Sequence, residues 1–161
     1  IVLPLIRQNS RWGIVNARAC RRIALEAVQQ LRIVPPDVTK IVRFLSGGNQ
    51  QKVVLGKWLS GKPKILILDE PTLGVDVGSK AEIHQLIRNL TESGIGILLI
   101  SSDMPEIIAL SHRMLVMYDG RIQGEFLQEE VTEEKIMAKI MEKILAKGRK
   151  SLHDFGIEQN H

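Results

Sequence analysis

Two short apolar runs separated by a helix-forming segment constrain the fold more than any other feature of this 161-residue chain. Residues 64–68 and 95–100 have the length and composition of strands buried on both faces of a parallel sheet. Between them, residues 79–90 place apolar side chains at helical spacing. Because strand, helix and strand in this order form a βαβ unit, we predict an α/β fold built on a parallel sheet.

Two adjacent carboxylates follow the first predicted strand directly. Asp69 and Glu70 stand at its carboxyl end, where ligands of parallel α/β sheets bind. Carboxylates at such a position suit a magnesium ion and an attacked water molecule. The same pair can also form no more than a turn, and the pattern alone leaves both interpretations open.

A glycine-rich turn precedes the first strand by about one helix length. Residues 45–52 read Leu-Ser-Gly-Gly-Asn-Gln-Gln-Lys, and the helix they open is predicted to continue to about Leu59. Ser46 is predicted to cap this helix, and Gly47-Gly48 leave room for another backbone or a phosphate. A helix N-terminus favours anions. An ordinary capped helix after a glycine-rich turn is the alternative.

The remaining segments are predicted as follows. Residues 1–44 are expected to be helical with interruptions, and the clearest helix, residues 16–31, ends before Pro35-Pro36. Asp119-Gly120 predicts a β-hairpin. Thr132 is expected to cap a last helix that reaches about Lys147, followed by a polar, frayed tail.

The bulk composition argues against a membrane-spanning chain and leaves several kinds of binding partner open. The chain is 44% hydrophobic, contains a single cysteine and has no apolar run near the roughly 20 residues that span a membrane. The first 64 residues hold 12 basic and 2 acidic side chains, whereas the rest hold 10 and 16. A basic half can face phosphate, nucleic acid or an acidic partner, or be a solvated helical surface. The absence of methionine before Met104 suggests a fragment of a longer protein.

Several of these motifs resemble those of ATP-binding cassette (ABC) proteins. Residues 45–50 are similar to the ABC signature, and Ile-Leu-Ile-Leu-Asp-Glu at residues 65–70 is similar to the Walker B strand. Gly-Val-Asp at residues 74–76 resembles the loop that follows that strand. The residues of these motifs, together with Ile-Ser-Ser-Asp-Met-Pro-Glu at residues 100–106, are most similar to those of the second cassette of tandem ATPases that drive bacterial simple-sugar importers.

The resemblance implies a domain organisation. Residues 1–128 would be the C-terminal part of an ABC ATPase domain, a partial P-loop NTPase. Within it, residues 1–59 would form the helical subdomain with the signature helix, and residues 60–128 half of the core sheet. Residues 129–161 would add a C-terminal helix and tail.

The resemblance also implies roles for individual residues, with ATP and Mg²⁺ as cofactors. Asp69 would hold magnesium, and Glu70 would activate the water that attacks the terminal phosphate. Asp76 would reach across a dimer interface, although capping the following helix is an equally good interpretation. The signature would touch ATP held by a second cassette through Ser46, Gly47, Gly48, Asn49 and Gln50, and asparagine replaces a glutamine common in relatives.

One expected residue of the ABC pattern is replaced. Most cassettes carry a histidine after the second strand, and this chain carries Ser102. A hydroxyl has neither the reach nor the possible charge of imidazole, so efficient hydrolysis at this site is in doubt. His112 precedes a predicted strand and does not replace the missing histidine. His84 is expected at the edge of a helix, and no metal binding is expected at His153 or His161.

The cassette's own phosphate loop is expected to precede Ile1. Residues 56–63 imitate such a loop, but Pro63 replaces its hydroxyl residue and the segment leads from a helix to a strand instead of the reverse.

Three functions follow as hypotheses. The first is an ATP-hydrolysing subunit at the cytoplasmic face of the bacterial inner membrane, peripheral, powering import of a sugar or sugar-like solute. Its partners would be a second cassette, a membrane permease and, indirectly, a solute-binding protein, with no nucleic acid. The second is an inert module that only donates its signature to a partner's ATP site. The third, weakest, is an ABC ATPase acting on nucleic acid, motivated by the basic first half.

Overall fold

The structure is a computed structural model that describes residues 1–154, without the side chains at 143–144 and 146–154. It divides into two compact units, Ile1–Ser101 and a second unit that begins at Ser102. The prediction that His153 and His161 bind no metal concerns a side chain and a residue that lie outside the described part of the chain. The two units are considered separately below.

The first unit opens with a small hairpin that the helical prediction for residues 1–44 missed. Strands β1 (Ser10–Arg11) and β2 (Ile14–Val15) pair antiparallel. Trp12 and Gly13, between them, have φ values of 55° and 78°. Two consecutive left-handed residues form the turn whose twist matches that of a hairpin. Local turn chemistry therefore overrides the helical interpretation of this segment.

Two helices follow this hairpin in the first unit. Helix α1 (Ala17–Gln30) begins at Asn16, whose side chain accepts a hydrogen bond from Ala19 N, close to the predicted start. Helix α2 (Gly47–Leu59) has the predicted bounds. Short 3₁₀ turns lie at Leu3–Leu5 and Val42–Phe44. The α1 end and the segment after it contribute a buried cluster against which side chains of α2 pack: Val28, Leu31 and Ile33, with Val53 and Leu59.

The predicted βαβ unit is confirmed. Strand β3 (Ile65–Asp69) pairs in parallel with β4 (Gly96–Ile100), in a register that sets Ile67 opposite Leu98. Helix α3 (Val77–Glu92) is the crossover between the strands and contacts both β4 and α2. This order places Asp69 at the carboxyl end of the sheet.

Only one face of β3 is buried, so the prediction of burial on both faces is wrong for the described residues. Leu66 and Leu68 are each 6% exposed, whereas Ile65 and Ile67, on the opposite face, are more than 60% exposed. A βαβ crossover covers one face of its sheet, and in the first unit the face of β3 that carries Ile65 and Ile67 stays exposed.

The second unit contains a helix, a hairpin and a long final helix. Helix α4 (Met104–Leu110) precedes β5 (Arg113–Tyr118) and β6 (Arg121–Leu127), which pair antiparallel around the predicted Asp119-Gly120 turn. A 3₁₀ turn at Gln128–Glu130 then leads to α5 (Glu133–Asp154). Its core contains residues of β5, α5 and the link before α5: Met114, Val116, Val131 and Ile136.

The last helix begins where predicted and ends later. Thr132 Oγ1 accepts a hydrogen bond from Lys135 N at 3.3 Å, as expected for the residue that caps α5. Helix α5 continues past Lys147 to Asp154, seven residues beyond the predicted end. Among the described residues, no helix combines the length and apolarity needed to cross a membrane.

The buried stripe of α3 gives a direct test of this fold. Ile83 is fully buried, so Ile83→Ala should lower the free energy of unfolding by about 2–5 kcal/mol through lost contacts and a cavity. Val77→Ala in the same helix, at a side chain that is 86% exposed, should change it by less than about 0.5 kcal/mol. Denaturant unfolding followed by circular dichroism measures both. Equal effects would contradict the assignment of the buried face.

Candidate functional site

The serine before α2 holds a position at the helix start without capping it. Ser46 is exposed and is the N-terminal flanking residue of α2, but its side chain accepts no hydrogen bond from the helix backbone. Its Oγ instead accepts a hydrogen bond from Asn49 Nδ2 at 2.8 Å. The prediction of a capping side chain is therefore wrong, because the amide of Asn49 competes for the same oxygen.

Two further signature side chains form hydrogen bonds within their own chain. Asn49 Oδ1 accepts from the backbone N–H of Val34 at 2.8 Å, and Gln50 Nε2 donates to the carbonyl of Leu45 at 2.8 Å. Both side chains are half-buried. Of the five predicted signature residues, Ser46 and Gly47 are therefore the exposed ones.

The two glycines let the start of α2 approach the loop before α3 and the start of α3. A Cβ at Gly47 would lie 3.2 Å from the carbonyl oxygen of Gly74. A Cβ at Gly48 would overlap Ser79 Oγ and Cβ. The expectation that these glycines admit a close neighbour is confirmed, and the neighbours are the loop before α3 for Gly47 and the start of α3 for Gly48.

Asp76 caps α3, the second of the two interpretations that its position allowed. Its Oδ1 accepts from Ser79 N at 2.9 Å, and its Oδ2 accepts from Ser79 Oγ at 2.8 Å. These hydrogen bonds, that from the Ser79 backbone N–H first, hold the pKa of the Asp76 carboxyl below its ordinary value. Ser79 thus contacts Gly48 on one side and Asp76 on the other. The structure brings the signature turn and Asp76 together.

The carboxylate pair stands where β3 ends. Asp69 is the last residue of β3, and Glu70 has a φ of 46°, in the left-handed region that non-glycine residues seldom occupy. Glu70 N donates to the carbonyl of Ile100 at 2.9 Å, one step beyond the paired strands. The carbonyl of Glu70 accepts from Leu73 N at 3.2 Å and closes a turn. Strained backbone of this kind is frequent at functional sites.

Ser102 belongs to the second unit. It is exposed and precedes Asp103, whose carboxylate caps α4 by accepting from Glu106 N at 3.0 Å. His112 is exposed.

The imitation phosphate loop has the structure expected of a helix end. Its first residues are the last turn of α2, and Ser60 donates from Oγ to the carbonyl of Lys57 at 2.8 Å before the chain enters β3. Gly56 is buried within the helix.

A buried lysine in α2 is the contact that sequence reasoning missed. Lys52 is 6% exposed, and its Nζ lies 2.6 Å from Glu82 Oε2 on α3 and 3.3 Å from the carbonyl oxygen of Arg32. Lys52 follows Gly48 by four residues, which places both on one face of α2. Since Gly48 faces α3, helical spacing was a signal that Lys52 faces it too.

A comparison with protein families finds a match for part of the chain. Residues 5–73, which hold the signature turn, α2, β3 and the Asp69-Glu70 pair, match the family model described as ABC transporter. This segment therefore carries part of an ABC transporter domain.

Curated relatives agree with this assignment. The chain is 55% identical over 129 residues to the Ribose import ATP-binding protein RbsA 1 of Rubrobacter xylanophilus, covering 80% of this chain and 26% of the relative. It is 48% identical over 135 residues to the Xylose import ATP-binding protein XylG of Geobacillus kaustophilus, covering 84% and 27%. The chain thus spans about a quarter of the length of these relatives.

Solved structures show the same fold. The dimeric structure of MJ0796, a bacterial ABC transporter cassette, has a TM-score of 0.66 at 28% identity and covers 78% of this chain and 53% of that one. A putative metal-chelate type ABC transporter in an inward-facing conformation has a TM-score of 0.72 at 17% identity, covering 87% and 56%. The predicted α/β cassette fold is confirmed.

The contact between Gly48 and Ser79 predicts a compensating pair of substitutions. Gly48→Ala should destabilise the chain by about 1–3 kcal/mol through overpacking, although alanine ordinarily stabilises a helix relative to glycine. Ser79→Gly removes both overlapping atoms, so Gly48→Ala should cost little in that background, whereas it should keep most of its cost beside Ser79→Ala, which retains the Cβ. A double-mutant cycle of unfolding free energies measures the coupling. Strict additivity would contradict the contact.

The capping bonds of Asp76 predict a second, electrostatic effect. Ser79→Gly removes the hydroxyl donor and keeps the backbone N–H, so the pKa of Asp76 should rise toward its ordinary value. Because the pKa is depressed in the folded state, the stabilisation is complete above the unfolded-state pKa and is lost as pH falls through the folded-state pKa. An NMR titration of the side-chain carboxyl measures this shift. Asp37, bonded to Thr39, is the control and should not change.

Proposed function

We propose that this chain is part of the ATP-binding and ATP-hydrolysing subunit of an importer for a sugar or sugar-like solute. The observation that carries the proposal is the similarity, over 80% or more of the chain, to proteins named as ribose and xylose import ATP-binding proteins. The position of the Asp69-Glu70 pair at the end of β3 and the exposure of Ser46 before α2 support this proposal.

The residues divide between two ATP sites. Asp69 and Glu70 would serve the cassette's own site, together with that cassette's phosphate loop. The signature turn would close over ATP held by a second cassette, with Ser46 and the Gly48 backbone at the terminal phosphate. Asp76, fixed beside the signature by Ser79, would lie at the same interface.

The carboxylate pair fits a magnesium ion bound together with ATP. Carboxylate oxygens are ligands that Mg²⁺ prefers, and the ion usually keeps waters and phosphate oxygens as its other ligands. Asp69 would hold the ion, which neutralises phosphate charge. Glu70 would orient the attacking water and accept its proton.

The second cassette, the membrane permease and the indirectly coupled solute-binding protein are the partners of this proposal. The chain would act at the cytoplasmic face of the bacterial inner membrane as a peripheral subunit of the tandem-cassette type. The relatives' names support neither the inert signature donor nor an ATPase acting on nucleic acid.

The proposal is tested by Glu70→Gln in the full-length protein that contains this chain. Loss of the general base should lower the turnover of ATP about 10²- to 10⁴-fold while Mg-ATP binding is retained. Steady-state phosphate release and equilibrium nucleotide binding measure the two quantities. Glu92→Gln, at the end of α3, is the matched control and should leave turnover unchanged.

The serine at residue 102 requires a second background for this experiment. Since a hydroxyl there can already slow hydrolysis at the cassette's own site, Glu70→Gln should also be measured beside Ser102→His, which is expected to raise turnover. Unchanged turnover in both backgrounds would refute Glu70 as the base.

A further inference from the structure

The starting observation is a chain of three polar groups at the start of α2 whose directions are fixed by one backbone amide. The N–H of Val34 can only donate, so the atom of Asn49 that lies 2.8 Å from it is the acceptor Oδ1. The other end of the same amide is then the donor Nδ2, which lies 2.8 Å from Ser46 Oγ. The orientation of the Asn49 amide is thus determined by its partner.

This orientation also determines how Ser46 can bond. A serine hydroxyl has one proton, and its oxygen already accepts from Asn49. Ser46 Oγ accepts no bond from the α2 backbone. Ser46 is exposed, so its proton is directed away from Asn49 toward the outside of the chain. The hydroxyl is therefore set as a hydrogen-bond donor, which matches an acceptor such as a phosphate oxygen.

We infer that Asn49 is a positioning residue that acts through Ser46 and does not itself contact the nucleotide. This inference rests on the proposed function, in which Ser46 donates to the terminal phosphate of ATP held by the second cassette. It replaces the expectation that Asn49 is a nucleotide contact. The segment at Val34, after α1, thereby sets the polarity of the signature hydroxyl.

Asn49→Asp separates positioning from a merely structural role. The new side chain has the same shape and still accepts from Val34 N, but it presents an acceptor to Ser46 in place of a donor. The Ser46 proton then turns inward, and its bond to the phosphate is lost. We expect kcat/KM for ATP in the full-length protein to fall about 10- to 100-fold, as for Ser46→Ala, the range for one hydrogen bond to a charged group. The thermal unfolding midpoint should stay within a few degrees.

Asn49→Leu removes both bonds without adding charge, and its double-mutant cycle with Ser46→Ala decides the question. If Asn49 acts through Ser46, Asn49→Leu lowers kcat/KM when the hydroxyl is present and changes it less than about twofold in the Ser46→Ala background. Multiplicative losses would mean that Asn49 contributes independently, and wild-type kcat/KM in both Asn49 variants would mean that it contributes nothing. Either outcome would overturn the inference.

A measurement without nucleotide tests the hydrogen bonds directly. Ser46→Ala should shift the NMR signals of the Asn49 side-chain amide, and Asn49→Leu should speed hydrogen exchange at Val34 N, which Asn49→Asp should leave protected. Unshifted amide signals would overturn the arrangement. These outcomes do not depend on ATP hydrolysis, so failure of the inference is distinguishable from failure of the proposed function, which Glu70→Gln tests separately.

Discussion

The close approach of α2 to the start of α3 is the constraint on which the candidate site depends. A Cβ at residue 48 would overlap Ser79, so this close approach requires glycine there. Ser79 in turn donates a hydrogen bond to Asp76. Interiors are close-packed, so a contact of this kind transmits displacement instead of absorbing it. The signature turn and the loop that carries Asp76 are therefore fixed relative to each other by one side chain. Any movement of α2 would carry both.

Polar contacts from α2 hold the same helix from two other directions. Lys52 is buried and pairs with Glu82 of α3, while Asn49 bonds the segment after α1. Burying an ammonium is costly unless it is paired and hydrogen-bonded, so the Arg32 carbonyl and Glu82 are needed to keep Lys52 inside. The pair therefore links α2 to α3 at one further point, in addition to the contact between Gly48 and Ser79.

Local patterns predicted the elements well and their surroundings poorly. The βαβ unit, α2 and the hairpin at Asp119-Gly120 each follow from periodicity and turn chemistry within a few residues. The hairpin at Trp12-Gly13 was missed because its strands are only two residues long and carry no alternating pattern. The exposed face of β3 was also missed. An apolar composition shows that both faces of a strand can be buried, but it does not show whether other elements cover both of them.

In the candidate site, too, the residue type predicts a role that the actual contacts can change. Serine before Gly-Gly is a good predictor of a capping side chain, and Asp76 before α3 does cap. Ser46 does not, because the third residue of α2 is an asparagine whose amide reaches back to the serine oxygen. In a capping box the residue at that position reaches back to the backbone N–H instead.

The partner at the other end of the Asn49 amide decides between the two arrangements. The N–H of Val34, distant in sequence, can only be satisfied by Oδ1, and so Nδ2 must face Ser46. A single tertiary hydrogen bond therefore changes the role that local sequence assigns to the serine, from acceptor for its own helix to acceptor for the Asn49 amide.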